Sequence, residues 1–343
     1  MSNVKPVFLF PGQGSQSVGM GRDLYDNHTA ARAIFEEADD ALGFALSKLI
    51  FEGPAEELAL TEHTQPAILT VSVAAHRVMS DALKPLGIVP AYAAGHSLGE
   101  YTAHAAAGTI SFADAVRTVR SRGQFMQAAV PAGVGSMAAI LGLPAAQIND
   151  ICALVSDELS SPSPIDTTPS ESAEARAEVV LAIVSPANLN SPDQTVISGA
   201  KAAVELAAER CKEAGAKKTV ILNVSAPFHC ALMQPAQDAL ANTLESIAFA
   251  DPAYPVAANV DARLLTRGSD VRDCLIRQVT GAVRWVECIQ LLAFEGATHF
   301  IEIGPGRVLS GLMRQIDRTQ KTLNVEDSAS LDKTLQALTA SPE

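Results

Sequence analysis

Short apolar runs alternate along the chain with longer, alanine-rich segments of helical character. The first run, "VFLF", precedes "AARAIFEEADDAL"; later "AYAAGHS" precedes "GEYTAHAAAG", and "HFIEIG" precedes "RVLSGLMRQI". Apolar runs of four to eight residues are typical of buried strands, and their alternation with helices is typical of parallel sheets. The pattern therefore predicts an α/β fold with a mainly parallel sheet.

The middle of the chain follows a different order. The segments are "GSMAAILG" (strand), "AAQINDICALV" (helix), "VVLAIVSPAN" and "QTVISGA" (strands), "KAAVELAAERCKEA" (helix) and "KKTVILNV" (strand). This βαββαβ order predicts a small ferredoxin-like domain inserted into the larger fold. We place the inserted domain at 132–222, a discontinuous core at 1–131 and 223–320, and a C-terminal tail at 321–343.

One segment of the inserted domain, 156–178, has little apolar character. It contains six acidic residues, one arginine and three prolines. Such a composition buries too little apolar surface to offset the entropy of ordering a chain. We expect 156–178 to be a mobile surface loop.

Composition narrows the class of protein and its partners. The 343 residues are 48% hydrophobic and 18% charged, as in ordinary globular proteins. The net charge of -13 disfavours nucleic acid or an anionic membrane as a general partner. We find neither a signal-peptide pattern nor an apolar run of the roughly 18 residues that a membrane span needs. The five cysteines include no C-x-x-C pair, so we expect no disulfide framework, no metal site and a cytoplasmic location.

The strongest local motif is Gly95-His96-Ser97-Leu98-Gly99, which fits G-x-S-x-G. An apolar run precedes it and a helical run follows, as in a nucleophile elbow. That turn exposes the serine hydroxyl and points the Leu98 N–H and the positive end of the helix at the reacting oxygen. So short a pattern also occurs by chance, and the alternative is an ordinary glycine–serine turn.

A serine nucleophile needs a base, and His229 is the best placed of seven histidines. It lies in "NVSAPFHCALM", after an apolar run and before a helical segment, where a loop can carry a base above a sheet edge. His104 falls about two helical turns after Ser97, too far to reach it. The side chain of His96, next to the serine, should diverge from it.

Arg122 and Gln13 are the other candidate residues. Arg122, in "RTVRSRGQFMQ", either belongs to a solvated helix face or binds a carboxylate in a pocket. The glycine-rich loop "FPGQGSQSVGMG" lacks the glycine that a dinucleotide fingerprint needs, because Ser17 stands there, and Met20 replaces the lysine of a phosphate-binding loop. What remains is a tight turn that presents Gln13, whose amide could donate to an oxyanion.

Together these segments resemble the malonyl-CoA:acyl carrier protein transacylase family, from about residue 5 to about residue 318. The motifs that carry the resemblance are "FPGQGSQSVGMG", "TQPAILTVS", "GHSLGEYTAHAAAG", "RSRGQFMQ", "GSMAAILG", "SPANLNSPDQTVISG", "NVSAPFHCALM", "AANVDA" and "EIGPGRVLSGL". The resemblance implies that Ser97 is acylated, that His229 is its base and that Arg122 holds the free carboxylate of the malonyl group.

Further roles follow from the resemblance only. It implies that Gln13 and the Leu98 N–H form the oxyanion hole. It implies that the main-chain carbonyl of Gln278 orients the catalytic histidine, and that Phe228 and His96 border the acyl pocket.

The resemblance also implies an α/β-hydrolase-like core and a monomer with no cofactor beyond its substrates. Those substrates are malonyl-CoA and the phosphopantetheine thiol of acyl carrier protein. The alternatives are a polyketide-pathway acyltransferase, a serine thioesterase or other hydrolase, and a non-catalytic relative that acts as a docking protein.

Overall fold

The computed structural model describes residues 4–160 and 182–340, which cluster into two compact units. Of these residues, the first unit contains those within Met1–Gln124, Asn242–Leu275 and Glu287–Glu343. The second contains those of the described residues that lie within Phe125–Ala241 and Ile276–Val286.

The elements of the described residues are numbered in chain order. The strands are β1 (Pro6–Phe10), β2 (Tyr92–Gly95), β3 (Gly135–Leu141), β4 (Val184–Ser191), β5 (Gln194–Ala200), β6 (Lys218–Ile221), β7 (Val256–Ala257), β8 (Leu264–Leu265), β9 (His299–Ile303) and β10 (Lys321–Val325). The α-helices are α1 (Arg22–Asn27), α2 (Thr29–Leu42), α3 (Leu46–Glu52), α4 (Ala55–Leu58), α5 (Thr61–Leu83), α6 (Leu98–Ala106), α7 (Phe112–Ala128), α8 (Ala145–Ser160), α9 (Lys201–Glu213), α10 (Gln234–Glu245), α11 (Gly268–Arg277), α12 (Trp285–Phe294), α13 (Val308–Ile316) and α14 (Ser328–Thr339).

The first unit contains a six-stranded sheet in the order β10-β9-β1-β2-β7-β8. All neighbouring strands are parallel except β7 and β8, which are antiparallel. Every residue of the central strand β1 is buried, which suits a parallel strand with helices on both faces of its sheet. The predicted α/β fold with a mainly parallel sheet is confirmed.

The second unit contains a four-stranded antiparallel sheet in the order β4-β5-β3-β6. In the described residues its elements follow the order β3, α8, β4, β5, α9, β6, as the sequence pattern predicted. The segment 276–286 belongs to this unit. Main-chain hydrogen bonds explain why: Leu189 donates to the carbonyl of Val283, and Val283 donates to that of Ala187.

The C-terminal segment differs from the prediction of a tail at 321–343. Strand β10 pairs in parallel with β9, and α14 follows it. A capping box begins that helix, because the Asp327 side chain accepts from the N–H of Ser330, and Leu331 and Leu338 are buried along it. This segment therefore completes the edge of the sheet in the first unit.

The predicted mobile loop at 156–178 also begins differently. Helix α8 continues to Ser160, so the first five residues of the predicted loop are helical. The rest of that segment, 161–178, lies outside the described residues.

Within residues 4–160 and 182–340, no helix is long and apolar enough to cross a membrane. In the same residues, no group of three or more histidine, cysteine, aspartate or glutamate side chains is arranged to hold a metal ion.

Candidate active site

Ser97 occupies a sharp turn between β2, which ends at Gly95, and α6, which begins at Leu98. Its backbone has φ 53° and ψ -110°, a strained conformation with positive φ that costs a non-glycine residue on the order of 1–3 kcal/mol. A Cβ at Gly95 would collide with the backbone of Gly99, and one at Gly99 would collide with the carbonyl of Phe10. The two flanking glycines therefore permit the turn, as the elbow prediction requires.

Arg122, on α7, is 2% exposed, which excludes the solvated helix face. Its Nη1 donates to Oε1 of Gln65 at 2.8 Å, and its Nη2 donates to Oγ of Ser97 at 3.1 Å. The guanidinium carbon lies 5.5 Å from the centre of the Tyr101 ring. Burial lowers the pKa of the Arg122 guanidinium, and the neighbouring Tyr101 and Glu100 oppose that shift. A buried cation thus donates directly to the candidate nucleophile.

The glycine-rich loop after β1 lies against the elbow. The N–H of His96 donates to the carbonyl of Phe10 at 3.0 Å. A Cβ on Gly12 would lie 3.2 Å from Nδ1 of His96 and closer still to the His96 carbonyl, so glycine is needed for this approach. The next residue, Gln13, is exposed, and its Nε2 donates to Oγ1 of Thr61 at 3.4 Å.

His229 lies in the second unit, in the turn after β6, and is 4% exposed. Its backbone also has a positive φ, 60°. Its Nδ1 lies 2.9 Å from the carbonyl oxygen of Gln278 and 3.2 Å from that of Gly281. Because carbonyls only accept hydrogen bonds, the neutral ring carries its proton on Nδ1 and leaves the Nε2 lone pair as the basic site.

The predicted site residues fall into two groups. In the first unit the fold brings Ser97 together with Arg122, and the loop of Gln13 together with the elbow. In the second unit it brings His229 together with the Gln278 carbonyl. Phe228, immediately before His229, is 8% exposed, whereas Leu98 is buried and His96 is half-buried beside Ser97.

Two residues of the site had no assigned role in the sequence analysis. Gln65 is the acceptor for Arg122 and is 1% exposed. Asn259 accepts from the N–H of Ser97 through Oδ1 at 2.8 Å. The sequence held a signal for each residue. Gln65 is a polar residue inside the apolar run "TQPAIL". Asn259 follows a short parallel strand, at the edge where ligand sites of open α/β sheets lie.

Comparison with known families and proteins gives a consistent result. The model of the acyl transferase domain family matches residues 7–163 and 164–337. A malonyl CoA-acyl carrier protein transacylase of Bacillus subtilis is 47% identical over 334 residues, which are 97% of this chain and 97% of that protein. The protein of the same name from Escherichia coli strain K12 is 48% identical over 310 residues, 90% of this chain and 92% of that one.

Solved structures give the same picture. A malonyl CoA-acyl carrier protein transacylase from Coxiella burnetii has a TM-score of 0.88 and 40% identity, and the match covers 98% of each chain. A malonyl-transacylase in complex with its type II PKS acyl-carrier protein has a TM-score of 0.86 and 43% identity, over 97% of this chain and 99% of that one. With matches that span nearly its whole length, the chain belongs to the acyl transferase domain family and is a relative of its malonyl CoA-acyl carrier protein transacylases.

Proposed function

We propose that this chain transfers the malonyl group of malonyl-CoA to the phosphopantetheine thiol of acyl carrier protein, through a malonyl ester on Ser97. One observation carries the proposal most directly: buried Arg122 donates to the Ser97 hydroxyl at 3.1 Å. A cation at the nucleophile suits an acyl group that has its own carboxylate. Relatives that share 38–48% identity bear the name of this activity.

In the first half-reaction the Ser97 oxygen attacks the thioester carbonyl while Nε2 of His229 takes its proton. The tetrahedral intermediate collapses, the carbon–sulfur bond breaks, and His229 returns the proton to the departing coenzyme A thiolate. In the second half-reaction the phosphopantetheine thiol gives its proton to the same histidine and attacks the malonyl ester. The ester carbon–oxygen bond then breaks, and His229 returns the proton to the Ser97 oxygen. Nδ1 of His229 lies within hydrogen-bond distance of the Gln278 and Gly281 carbonyls, which supports the tautomer with its proton on Nδ1 and Nε2 as the basic nitrogen.

The oxyanion of each intermediate is held by the Leu98 N–H and the Gln13 amide. Leu98 is the first residue of α6, so its N–H belongs to the positive end of that helix. Ser97 donates its own N–H to Asn259, which leaves Leu98 as the backbone donor of the elbow. One such donor contributes about 3–4 kcal/mol to transition-state stability.

Arg122 selects the acyl group by a bidentate pair with the malonyl carboxylate. Its guanidinium is held by Gln65 and lies beside the Tyr101 ring, so its position is set before the substrate arrives. A charge-assisted pair of this kind contributes about 2–3 kcal/mol, which corresponds to about a hundredfold preference for malonyl over acetyl. Phe228 and His96 border the pocket for the acyl group.

The proposal extends to the type of fold of each unit. The elbow on a mainly parallel sheet supports an α/β-hydrolase-like core in the first unit. The β4-β5-β3-β6 order supports a ferredoxin-like second domain. The mechanism uses no cofactor beyond malonyl-CoA and the carrier protein. We propose a cytoplasmic monomer.

One observation supports a second kind of acyl carrier protein as the acceptor. A relative with 43% identity was solved in complex with a type II PKS acyl-carrier protein. We therefore propose that the carrier protein served by this chain belongs either to fatty acid synthesis or to polyketide synthesis. Transfer rates to a purified carrier of each kind would decide between them.

Intact-mass measurement tests the core of the proposal. The protein is mixed in turn with malonyl-, methylmalonyl- and acetyl-CoA, and then with phosphopantetheinylated carrier protein. We expect a malonyl adduct that the carrier protein removes, and no adduct on the Ser97→Ala variant. Rapid release of free malonate without carrier protein would instead indicate a thioesterase. Absence of any adduct on the parent protein would indicate a non-catalytic relative.

A further inference from the structure

The asparagine just beyond β7 is joined to the elbow on both sides of the nucleophile. Its Oδ1 accepts from the N–H of Ser97 at 2.8 Å, and its Nδ2 donates to the carbonyl of Gly95 at 2.8 Å. The side chain of Asn259 thus bridges the last residue of β2 and the serine itself.

The position of this residue follows from the sheet. Strand β7 runs parallel to β2, with Val256 beside Ala93 and Ala257 beside Ala94. Two residues further along, Asn259 stands level with the turn that leaves β2. It is 0% exposed, so its two hydrogen bonds to the elbow are shielded from competing water.

The elbow in turn holds the asparagine. Oε2 of Glu100, in the first turn of α6, accepts from the main-chain N–H of Asn259 at 3.0 Å. Glu100 is also fully buried. Glu100 of α6 therefore holds Asn259, and Asn259 in turn holds Ser97, the residue just before α6. The three hydrogen bonds join Asn259 to the end of β2, to Ser97 and to the start of α6.

The chemistry of the bridge requires a carboxamide. One atom faces an N–H and must accept, while the other faces a carbonyl and must donate. An aspartate at 259 would fill the same volume, but one of its carboxylate oxygens would face the Gly95 carbonyl, acceptor against acceptor. Alanine would remove both bonds to the elbow.

We infer that Asn259 is a positioning residue for the nucleophile: its carboxamide holds Ser97 in the strained, positive-φ conformation that presents the hydroxyl, and Glu100 holds Asn259. This inference rests on the proposed role of Ser97 as the acylated residue. It predicts that loss of the bridge slows every reaction of the Ser97 oxygen, whatever the acylating reagent, and leaves substrate affinity almost unchanged.

The test compares Asn259→Ala and Asn259→Asp with the parent protein. Two rates are measured: acylation by malonyl-CoA, and sulfonylation of Ser97 by a small aryl sulfonyl fluoride, in which the serine oxygen displaces fluoride. Intact mass follows both. The control is Asn324→Ala, the same substitution at an asparagine of β10 whose Nδ2 donates to Glu326. We expect both rates to fall at least tenfold in the Asn259 variants, with KM for malonyl-CoA within threefold of the parent and the control unchanged.

The two readouts separate this inference from the proposed function. If the parent protein takes the sulfonyl group on Ser97 but no malonyl group, the proposed function fails while the sulfonylation rates still test Asn259. An Asn259→Asp variant that is sulfonylated at the parental rate overturns the inference, because the bridge then needs no donor. The isosteric aspartate also decides the matter if the alanine variant does not fold.

Discussion

The candidate nucleophile and the candidate base both have a positive backbone φ, but different kinds of partner contact them. Ser97, with φ 53°, contacts side chains: Asn259 accepts from its N–H, and Arg122 donates to its hydroxyl. His229, with φ 60°, has main-chain carbonyls of Gln278 and Gly281 beside its Nδ1.

Substitutions should therefore have different effects around Ser97 and around His229. A side-chain partner disappears when its residue is replaced, whereas a main-chain carbonyl remains whatever the residue. The surroundings of Ser97 should therefore be sensitive to sequence, and the partners of His229 should tolerate replacement as long as the backbone keeps its course.

Replacing the base itself should have the largest effect in this comparison. In His229→Asn the new side chain tolerates a positive φ and can still donate to a carbonyl, but it has no basic nitrogen. We expect the rate of Ser97 acylation by malonyl-CoA to fall by about 10²–10⁴, with a melting temperature close to that of the parent. Rapid mixing, quenching at timed intervals and intact-mass measurement give the acylation rate.

The matched control is His63→Asn, because Nδ1 of His63 also contacts a main-chain carbonyl, that of Glu57. The control should acylate at the parental rate. Acylation of His229→Asn within threefold of the parent would mean that another group is the base.

Removal of the buried cation should have the next largest effect, and only for one substrate. In Arg122→Ala we expect kcat/KM for malonyl-CoA to fall about a hundredfold, because the carboxylate loses a bidentate partner worth about 2–3 kcal/mol. Transfer from acetyl-CoA should stay equal or improve. The control is Arg117→Ala on the same helix, whose exposed pair with Asp114 has no part in the site. An equal fall for both thioesters would contradict the carboxylate role.

The sequence predicts more of the fold than of the site. Periodicity indicated the parallel sheet and the order of elements in the second unit, because buried strands and amphipathic helices differ locally in pattern. The sequence analysis did not predict β10 and α14, although "KTLNV" and the Asp327 cap were present. It treated 321–343 as a tail because the family resemblance ended near residue 318.

Within the site, local motifs indicated the elbow, because its glycines are required by a turn of adjacent residues. Asn259 lies 162 positions from the serine that it contacts, and Gln65 lies 57 positions from Arg122. The pairing of β7 with β2 and the packing of helices set these partners. Local signals mark Asn259 and Gln65 as unusual, but they do not say which residue each one contacts.

The same substitution, glutamine to methionine, can be made beside Arg122 and beside His229. Gln65 and Gln278 are both buried, at 1% and 0% exposure, and methionine approximates the volume of each. In Gln65→Met, Nη1 of Arg122 loses the carboxamide oxygen at 2.8 Å. A lost partner of a buried charged donor costs about 1–3 kcal/mol, so malonyl transfer should slow by about tenfold.

In Gln278→Met the carbonyl beside His229 remains, so we expect kcat for malonyl transfer to stay within about twofold of the parent. The melting temperature of each variant shows whether packing is preserved, and kcat for malonyl transfer is measured on both. If Gln278→Met folds normally but loses as much activity as Gln65→Met, its side chain contributes to the reaction. The contrast between a side-chain-held nucleophile and a backbone-held base would then be wrong. If the two variants separate as expected, the tolerance of His229 follows from the chemistry of its acceptors, because a carbonyl oxygen is common to every residue.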